Sequence, residues 1–181
     1  MNKTVFLLAG LGVMLTACTE VRVVVDPVRN LQLLSYQSEY VLAENATDPR
    51  TGQVYAAGSS ILCGNLSTRV TFDAIWEGTA DLVGAKLLGL ESGVSRVVYT
   101  EPLGNLSTNG PVTFEFANAP GAIPLSVRGR GLTAQAIVVR PVNDLNVRGA
   151  AFLAIQARSA DGSVSNVAES VQALPVADCT L

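Results

Sequence analysis

Apolar and polar residues alternate along four stretches of the chain. The apolar positions of these rows are Val21, Val23 and Val25; Val70, Phe72, Ala74 and Trp76; Val112, Phe114 and Phe116; and Ala151, Leu153, Ile155 and Ala157. Successive side chains of a β-strand point to opposite faces, so a period of two predicts strands with one buried and one solvated face. Each row therefore predicts one strand that faces a core.

Turn signals separate the rows at short spacing. They are Asn109-Gly110, Arg128-Gly129-Arg130-Gly131 and Asp161-Gly162. Asn-Gly and Asp-Gly tolerate the positive φ that tight hairpins require. Many short strands with frequent turns predict an all-β fold, either a sandwich or a barrel.

The pattern leaves the secondary structure of two segments open. Residues 79–91 and 164–174 could each form a short helix instead of a strand. Gly84 and Gly89 disfavour a helix in the first segment, because glycine in a helix interior is destabilising.

A five-residue motif occurs twice in the chain. Gly-Asn-Leu-Ser-Thr occupies residues 64–68 and 104–108, and Val-Thr-Phe followed by an acidic residue begins at Val70 and at Val112. The repeat indicates either a duplicated loop-and-strand unit or a chance similarity.

The N-terminus has the layout of a secretory signal: one charge at Lys3, then an apolar run from Val5 to Leu15. At about 1.5 Å per residue the run is about 16 Å long, too short to remain as a transmembrane helix in a core of about 30 Å. Leu15-Thr16-Ala17-Cys18 follows and resembles the lipobox of bacterial lipoproteins. The alternative is an ordinary signal peptide with a chance cysteine.

The lipobox resemblance implies a lipid anchor. Residues 1–17 would be removed and Cys18 would receive a diacylglycerol and an amide-linked acyl chain such as palmitate. Two or three acyl chains make attachment effectively permanent, because each buried methylene contributes about 0.8 kcal/mol. The next residue is Thr19, not the aspartate that retains enterobacterial lipoproteins in the inner membrane. The expected location is the cell envelope, at the outer membrane or, with one membrane, the outer face of the plasma membrane.

Composition indicates a folded, mildly acidic chain. Of its 181 residues, 49% are hydrophobic and 15% charged, and the net charge is −3. These values exclude a disordered chain and give no reason to expect nucleic-acid binding.

Two cysteines remain once Cys18 carries lipid. An exported protein meets an oxidising compartment, where Cys63 and Cys179 would pair and tie down the C-terminus. Two free thiols are the alternative. A catalytic cysteine is disfavoured because the chain contains no histidine to activate it.

The C-terminal region resembles a fibronectin type III or related immunoglobulin-like module. The resemblance covers residues 145–164, through Leu145, Gly149, Phe152 and the stretch Ala-Arg-Ser-Ala-Asp-Gly-Ser-Val. It implies that the fold is an antiparallel sandwich of this type, with Phe152 where the family has a tyrosine. Phe152 is also out of phase with its neighbouring apolar row. The expected division is a signal peptide (1–17), an anchor, tether and N-terminal strands (18–62) and a sandwich domain (63–181).

Few catalytic groups remain in the chain. Without histidine, and with Lys86 as the only lysine after the signal peptide, most nucleophile and zinc sites are excluded. A glycosidase could use two of Asp73, Glu77 and Glu115, but a solvated sheet face explains these carboxylates better. We therefore expect no enzyme activity and no cofactor.

Two further sets of charged residues are candidate ligand sites. Asp144 or Asp161 could bind calcium, but neither has clustered carboxylates nearby, so ordinary turn chemistry is favoured. Arg128 and Arg130 could meet an anionic partner, but a solvated hairpin tip is favoured.

The sequence therefore predicts a lipid-anchored, non-enzymatic interaction or structural module of a cell-envelope or surface-layer assembly. Its partners would be the membrane, through Cys18, and an envelope protein. The alternatives are a lipoprotein that carries a ligand in an apolar cavity and, less favoured, the carboxylate glycosidase.

Overall fold

A computed structural model describes residues 25–89, 96–131 and 137–180, and within these ranges the chain forms strands and no helix. The strands are β1 (Arg29–Ser38), β2 (Tyr40–Leu42), β3 (Ala46–Thr47), β4 (Val54–Tyr55), β5 (Ser60–Cys63), β6 (Thr68–Glu77), β7 (Thr79–Ala80), β8 (Leu82–Gly89), β9 (Val98–Tyr99), β10 (Leu106–Ser107), β11 (Val112–Ala119), β12 (Ile123–Gly131), β13 (Arg140–Val142), β14 (Asp144–Arg158), β15 (Ala168–Glu169) and β16 (Leu174–Thr180). The predicted all-β class is confirmed.

The smaller of two main sheets is antiparallel, with the order β1-β6-β11-β12. Its centre pairs Phe72 of β6 with Phe114 of β11, and the two rings stack 5.3 Å apart. These strands contain the predicted rows that begin at Val70 and Val112. The two rows pair because each offers large apolar side chains on one face.

The larger sheet has the order β13-β2-β5-β16-β14-β8-β9, and β15 also pairs with β14. Most of its pairings are antiparallel, but β2 with β13 and β5 with β16 are parallel. Two small ribbons, β3-β4 and β7-β10, complete the described strands. β5 therefore inserts residues from the first third of the chain beside the C-terminal strand.

The inner faces of the two sheets bury a common core, which we call the main core. Its members are Val28, Leu31, Leu62, Val70, Phe72, Ala74, Trp76, Ala80, Val83, Ala85, Leu87, Val98, Val112, Phe114, Phe116, Val127, Ala151, Leu153, Ile155, Ala157 and Leu174. Three of the four predicted rows lie here, with the predicted phase. In the remaining row, Val21 and Val23 lie outside the described residues, and Val25 belongs to no strand.

A second apolar cluster lies on the outer side of the larger sheet, around the disulfide bond between Cys63 and Cys179. We call it the disulfide corner, and it consists of Tyr40, Leu42, Ile61, Cys63, Val142 and Cys179. The Cα atoms of the two cysteines are 5.4 Å apart, which confirms the predicted pairing. Along β5, Leu62 faces the main core, whereas Ile61 and Cys63 face the corner.

The two segments left open by the sequence contain no helix where the structure describes them. Residues 82–89 form β8, and Gly84 lies beneath the ring of Tyr99, where an added Cβ would meet that ring at 2.6 Å. Between 164 and 174 the chain forms only an isolated bridge at Val164 and the short β15. A close ring contact, rather than a turn, accounts for the glycine in β8.

The turn predicted at Arg128-Gly129-Arg130-Gly131 is wrong, because these residues belong to β12. Gly129 pairs with Phe114 and Gly131 with Thr113, which leaves Arg130 as the extra residue of a bulge. Glycine is common at bulges as well as in turns. The Asp161-Gly162 turn is confirmed: Gly162 has a φ of 89°, and its N–H donates to Ser159 O at 3.0 Å.

Candidate binding site

An open cleft of about 700 Å³ is lined by residues of both main sheets and of the β3–β4 ribbon. It is bounded by the β3–β4 ribbon, by β14 at Ala150 and Phe152, and by residues 171–173. Two valines at its rim, Val54 and Val171, are 58% and 95% exposed. The volume lies within the range of small-molecule sites, and the exposed rim leaves the cleft accessible.

Three aromatic side chains line the cleft: Tyr36 from β1, Tyr55 from β4 and Phe152 from β14. Burial raises the pKa of Tyr36, and burial together with the negative charge of Asp48 raises the pKa of Tyr55. Both phenols therefore stay neutral at physiological pH. Three elements from distant parts of the chain thus bring aromatic surface to one place.

The turn of the β3–β4 ribbon is organised by Asp48. Its side chain is 3% exposed and accepts a hydrogen bond from Arg50 N–H at 2.8 Å. Its main-chain carbonyl accepts from Gly52 N–H at 2.9 Å, and Gly52 has a φ of 73°. The bond from Arg50 N–H, assisted by Thr51, lowers the pKa of Asp48. The buried carboxylate therefore holds the turn as an anion.

The guanidinium of Arg50 lies between this turn and β14. Its Nε is 3.8 Å from Asp48 Oδ1, and a Cβ added to Gly149 would lie 3.3 Å from its Nη2. The guanidinium therefore packs against bare backbone where β14 has a register shift. It also offsets the charge of Asp48 at this edge of the cleft.

The ribbon also rests on the disulfide corner. Ala46 of β3 and Tyr55 of β4 pack against that cluster. Asn65 ties the same region together: its Nδ2 donates to Cys179 O at 2.9 Å, and its Oδ1 accepts from Cys179 N–H at 2.8 Å. One wall of the cleft is thus supported by the strands that the disulfide joins.

Residues 171–173 form the opposite side of the cleft. The hydroxyls of Tyr36 and Ser170 both donate to Gln172 O, at 3.0 and 2.8 Å. Ser170 Oγ in turn accepts from Leu153 N–H at 3.1 Å. These bonds fix the backbone of Gln172 between the two sheets.

The three carboxylates considered for catalysis do not lie in the cleft. Asp73 accepts hydrogen bonds from Ser35 Oγ at 2.7 Å and Thr113 Oγ1 at 2.6 Å on the outer face of the smaller sheet. Glu77 pairs with Arg29, and hydrogen bonds from Asn30 and Arg29 lower its pKa. Glu115 pairs across the strands with Arg128 and Thr71.

The remaining candidates for calcium and anion binding are Asp144, Asp161, Arg128 and Arg130. Asp161 Oδ1 accepts from Ser163 N–H at 2.9 Å, and this bond lowers its pKa, as expected of a turn aspartate. The side chains of Asp144 and Arg130 lie outside the part of the chain that is described, and Arg128 is exposed on β12. Within the described ranges no three Asp, Glu, Cys or His side chains cluster as metal ligands would.

The predicted lipid site, Cys18, and the lipobox also lie outside the described residues. Among the residues that are described, no helix is long and apolar enough to cross a membrane.

Sequence reasoning missed the cleft. One feature of the sequence could have indicated the cleft. Phe152 is an aromatic residue that points away from the core, on a strand whose core-facing residues are Leu153, Ile155 and Ala157. Tyr36 and Tyr55 carried no comparable signal, because their short or bulged strands show no alternation.

No protein-family model, curated protein or solved structure matches this chain.

Proposed function

We propose that the protein is a lipid-anchored, non-enzymatic interaction module of the cell envelope that presents the cleft to another envelope component. The observation that carries the proposal is the position of the cleft relative to the end where the chain enters the sandwich. Membrane attachment at Cys18 and a cleft at the far end suit a protein that links a membrane to something else.

Two strands support this arrangement. The chain enters the sandwich at Val28, whose N–H donates to Ser159 Oγ at 2.8 Å. β1 then runs from Arg29 to Tyr36, a distance of about 20 Å at 3.3 Å per residue. We call the region of Val28 and Ser159 the anchor end.

The second strand, β14, gives the same separation in the opposite direction. Ser159 at the anchor end follows Phe152 in the cleft by seven residue positions, again about 20 Å. β1 and β14 belong to different sheets, so the two estimates are independent. A partner in the cleft would be held away from the point where the chain leaves for its anchor.

The arrangement of the carboxylates also supports a non-enzymatic role, which stays a prediction. A glycosidase acid needs a raised pKa, whereas the pKa of Glu77 is lowered. Both oxygens of Asp73 accept hydroxyl hydrogen bonds within the sheet. The alternative of an apolar carrier is less well supported, because the cleft has an exposed rim and contains polar side chains such as Gln53 and Asp48.

The anchor is tested with Cys18→Ala. In the source organism, the wild-type protein should incorporate a clickable fatty acid and remain with membranes, whereas the variant should do neither. Label on the variant, or wild-type protein found free of membranes, would refute the lipid anchor.

The interaction is tested with a photo-crosslinking amino acid in place of one exposed valine. At Val171, in the cleft rim, it should give one dominant adduct in native envelopes. Val164 is the matched control, since it is 54% exposed, lies in the same segment and bridges to Arg158 near the anchor end. Adducts of equal yield at both positions, or none at Val171, would refute the cleft as the interaction site.

We further infer that part of the sandwich follows the immunoglobulin-like plan. The order β8-β14-β16 corresponds to C-F-G, and β1-β6 corresponds to A-B. In that plan the strand at the sheet edge precedes the strand beside B, whereas here β11, beside β6, precedes β12 at the edge. The resemblance proposed for residues 145–164 therefore extends to the C, F and G strands and not to the whole fold.

A further inference from the structure

We propose that the cleft binds an uncharged carbohydrate chain. The inference rests on the proposed function, because it names the class of ligand that the same cleft would take. The cleft's aromatic surface, its charge and its open shape support this class of ligand.

The aromatic surface suits sugar rings. A pyranose presents C–H groups on its faces and hydroxyls at its edge, so it stacks on an aromatic ring while its hydroxyls remain free to hydrogen-bond. Tyr36, Tyr55 and Phe152 supply three such rings within one cleft. Tyrosines that stay neutral and bury part of their rings provide contact area with little loss of conformational freedom.

The charge of the cleft favours a neutral ligand. Of the lining residues that the structure describes, Asp48 alone carries a formal charge, and Arg50 offsets it at 3.8 Å. Hydrogen-bonding groups are otherwise amides and hydroxyls, such as Gln53, Gln172 and Ser59. An anionic headgroup would meet no unpaired cation here, whereas sugar hydroxyls can both donate to and accept from these groups.

The shape of the cleft favours a short stretch of a longer chain. A volume of about 700 Å³ accommodates about two or three sugar rings. Because Val54 and Val171 leave the rim exposed, both ends of a bound segment could continue into solvent. A closed pocket would instead select a free monosaccharide.

The test is titration of the full-length lipidated protein, in a detergent without a sugar headgroup, with neutral oligosaccharides. The probes are cellohexaose, maltohexaose and chitohexaose, followed by calorimetry and by saturation-transfer NMR of the ligand. At least one should bind with a Kd between about 10 μM and 1 mM, with the strongest transfer to ring C–H protons. No binding of any of the three at 10 mM would overturn the inference. Stronger binding of hyaluronan hexasaccharide or anionic phospholipid vesicles would also overturn it.

Variants locate the binding. Tyr55→Ala should weaken it about tenfold, because one stacking surface is lost, and Gln172→Ala should weaken it several-fold without touching the packed core. Tyr99→Ala is the control, since Tyr99 is a tyrosine that is 40% exposed and lies on β9 outside the cleft. Should Tyr55→Ala fail to fold, Gln172→Ala decides. Unchanged affinity in Gln172→Ala and in every folded Tyr55 variant would overturn the inference.

The two proposals fail in different ways. A dominant adduct at Val171 that is a protein, together with no oligosaccharide binding, would overturn the carbohydrate inference and leave the interaction module standing. No adduct and no oligosaccharide binding would overturn both.

Discussion

The main core and the disulfide corner hold two parts of the same sandwich by different means. Twenty-one described residues form the main core, including three phenylalanines and Trp76, whereas six form the corner. The main core lies between two sheets, whereas the partly buried apolar residues that pack against the corner are Ala46 and Tyr55 of the short ribbon and Leu66 of a turn. A covalent bond joins its strands where packing alone is sparse.

The difference between the two clusters bears on the cleft, because one wall of the cleft packs against the disulfide corner, the smaller cluster. Tyr55, one of the aromatic residues of the cleft, packs against the corner rather than the main core. The β3–β4 ribbon has two paired residues in each strand. Its position therefore depends on the corner and on its own turn, and loosening the corner should affect binding before it affects the whole fold.

Phe114→Ala should have the largest effect on stability. Phe114 is fully buried, stacks on Phe72 at 5.3 Å and lies 6.2 Å from Trp76. Its truncation leaves a cavity between the sheets and should lower the free energy of unfolding by about 3–5 kcal/mol. Denaturant unfolding measures this. A loss under 1 kcal/mol would mean that the two sheets do not share this core.

Replacing both Cys63 and Cys179 with alanine should have the next largest effect. The bond closes a loop between residues 116 apart in sequence, and its loss should lower the free energy of unfolding by about 2–4 kcal/mol. Hydrogen exchange should rise first in β5 and the β3–β4 ribbon and least in β6 and β11. The wild-type protein after reduction is the control, and uniform acceleration would contradict the division into two regions.

The main core could be predicted from the sequence because its signal is local. Each strand of the Val70 and Val112 rows alternates over seven residues or fewer, and that period alone assigns its faces. The disulfide was predicted from the two cysteines that remain besides Cys18 in a chain with the layout of an exported protein. Neither prediction required knowing which strands are neighbours.

The disulfide corner and the cleft could not be predicted in the same way. β2, β4, β5 and β13 are two to four residues long, too short for a period to emerge. Tyr36, Tyr55 and Phe152 meet only because β1, β4 and β14 are brought together by tertiary pairing. Gly129 and Gly131 show a different difficulty. A local glycine signal was present, but glycine suits a β-bulge as well as a turn, so the sequence alone predicted the wrong one of the two.

The motif that occurs twice offers a matched pair of smaller changes, Thr68→Val and Thr108→Val. Thr68 Oγ1 accepts from Cys63 N–H at 3.1 Å, and Thr108 Oγ1 accepts from Trp76 N–H at 3.3 Å. Both hydroxyls also donate to the carbonyl of the same residue they accept from. A threonine hydroxyl that bonds both main-chain groups of one residue therefore supports the corner at Cys63 and the main core at Trp76.

The two variants should differ because of burial. Thr68 is 1% exposed, so its loss leaves unsatisfied groups and should destabilise by about 1–3 kcal/mol. Thr108 is half-buried, so water can replace it, and about 0.5–1 kcal/mol is expected. Thermal unfolding of both variants measures this, and equal losses would contradict the stronger dependence of the corner on buried polar bonds.

Acidification should loosen the β3–β4 ribbon without unfolding the main core. Because hydrogen bonds lower the pKa of Asp48 in the folded protein, its stabilisation is fully present above the unfolded value of about 4 and is lost as the pH falls through the folded pKa. Asp48→Asn keeps an acceptor for Arg50 N–H but removes this pH dependence. NMR shifts of Arg50 and Gly52 amides between pH 2 and 7 measure it.

Asp161→Asn is the control, because Asp161 also has a lowered pKa but lies in the turn at the anchor end. If the ribbon amides titrate alike in wild type and Asp48→Asn, another group holds this wall of the cleft.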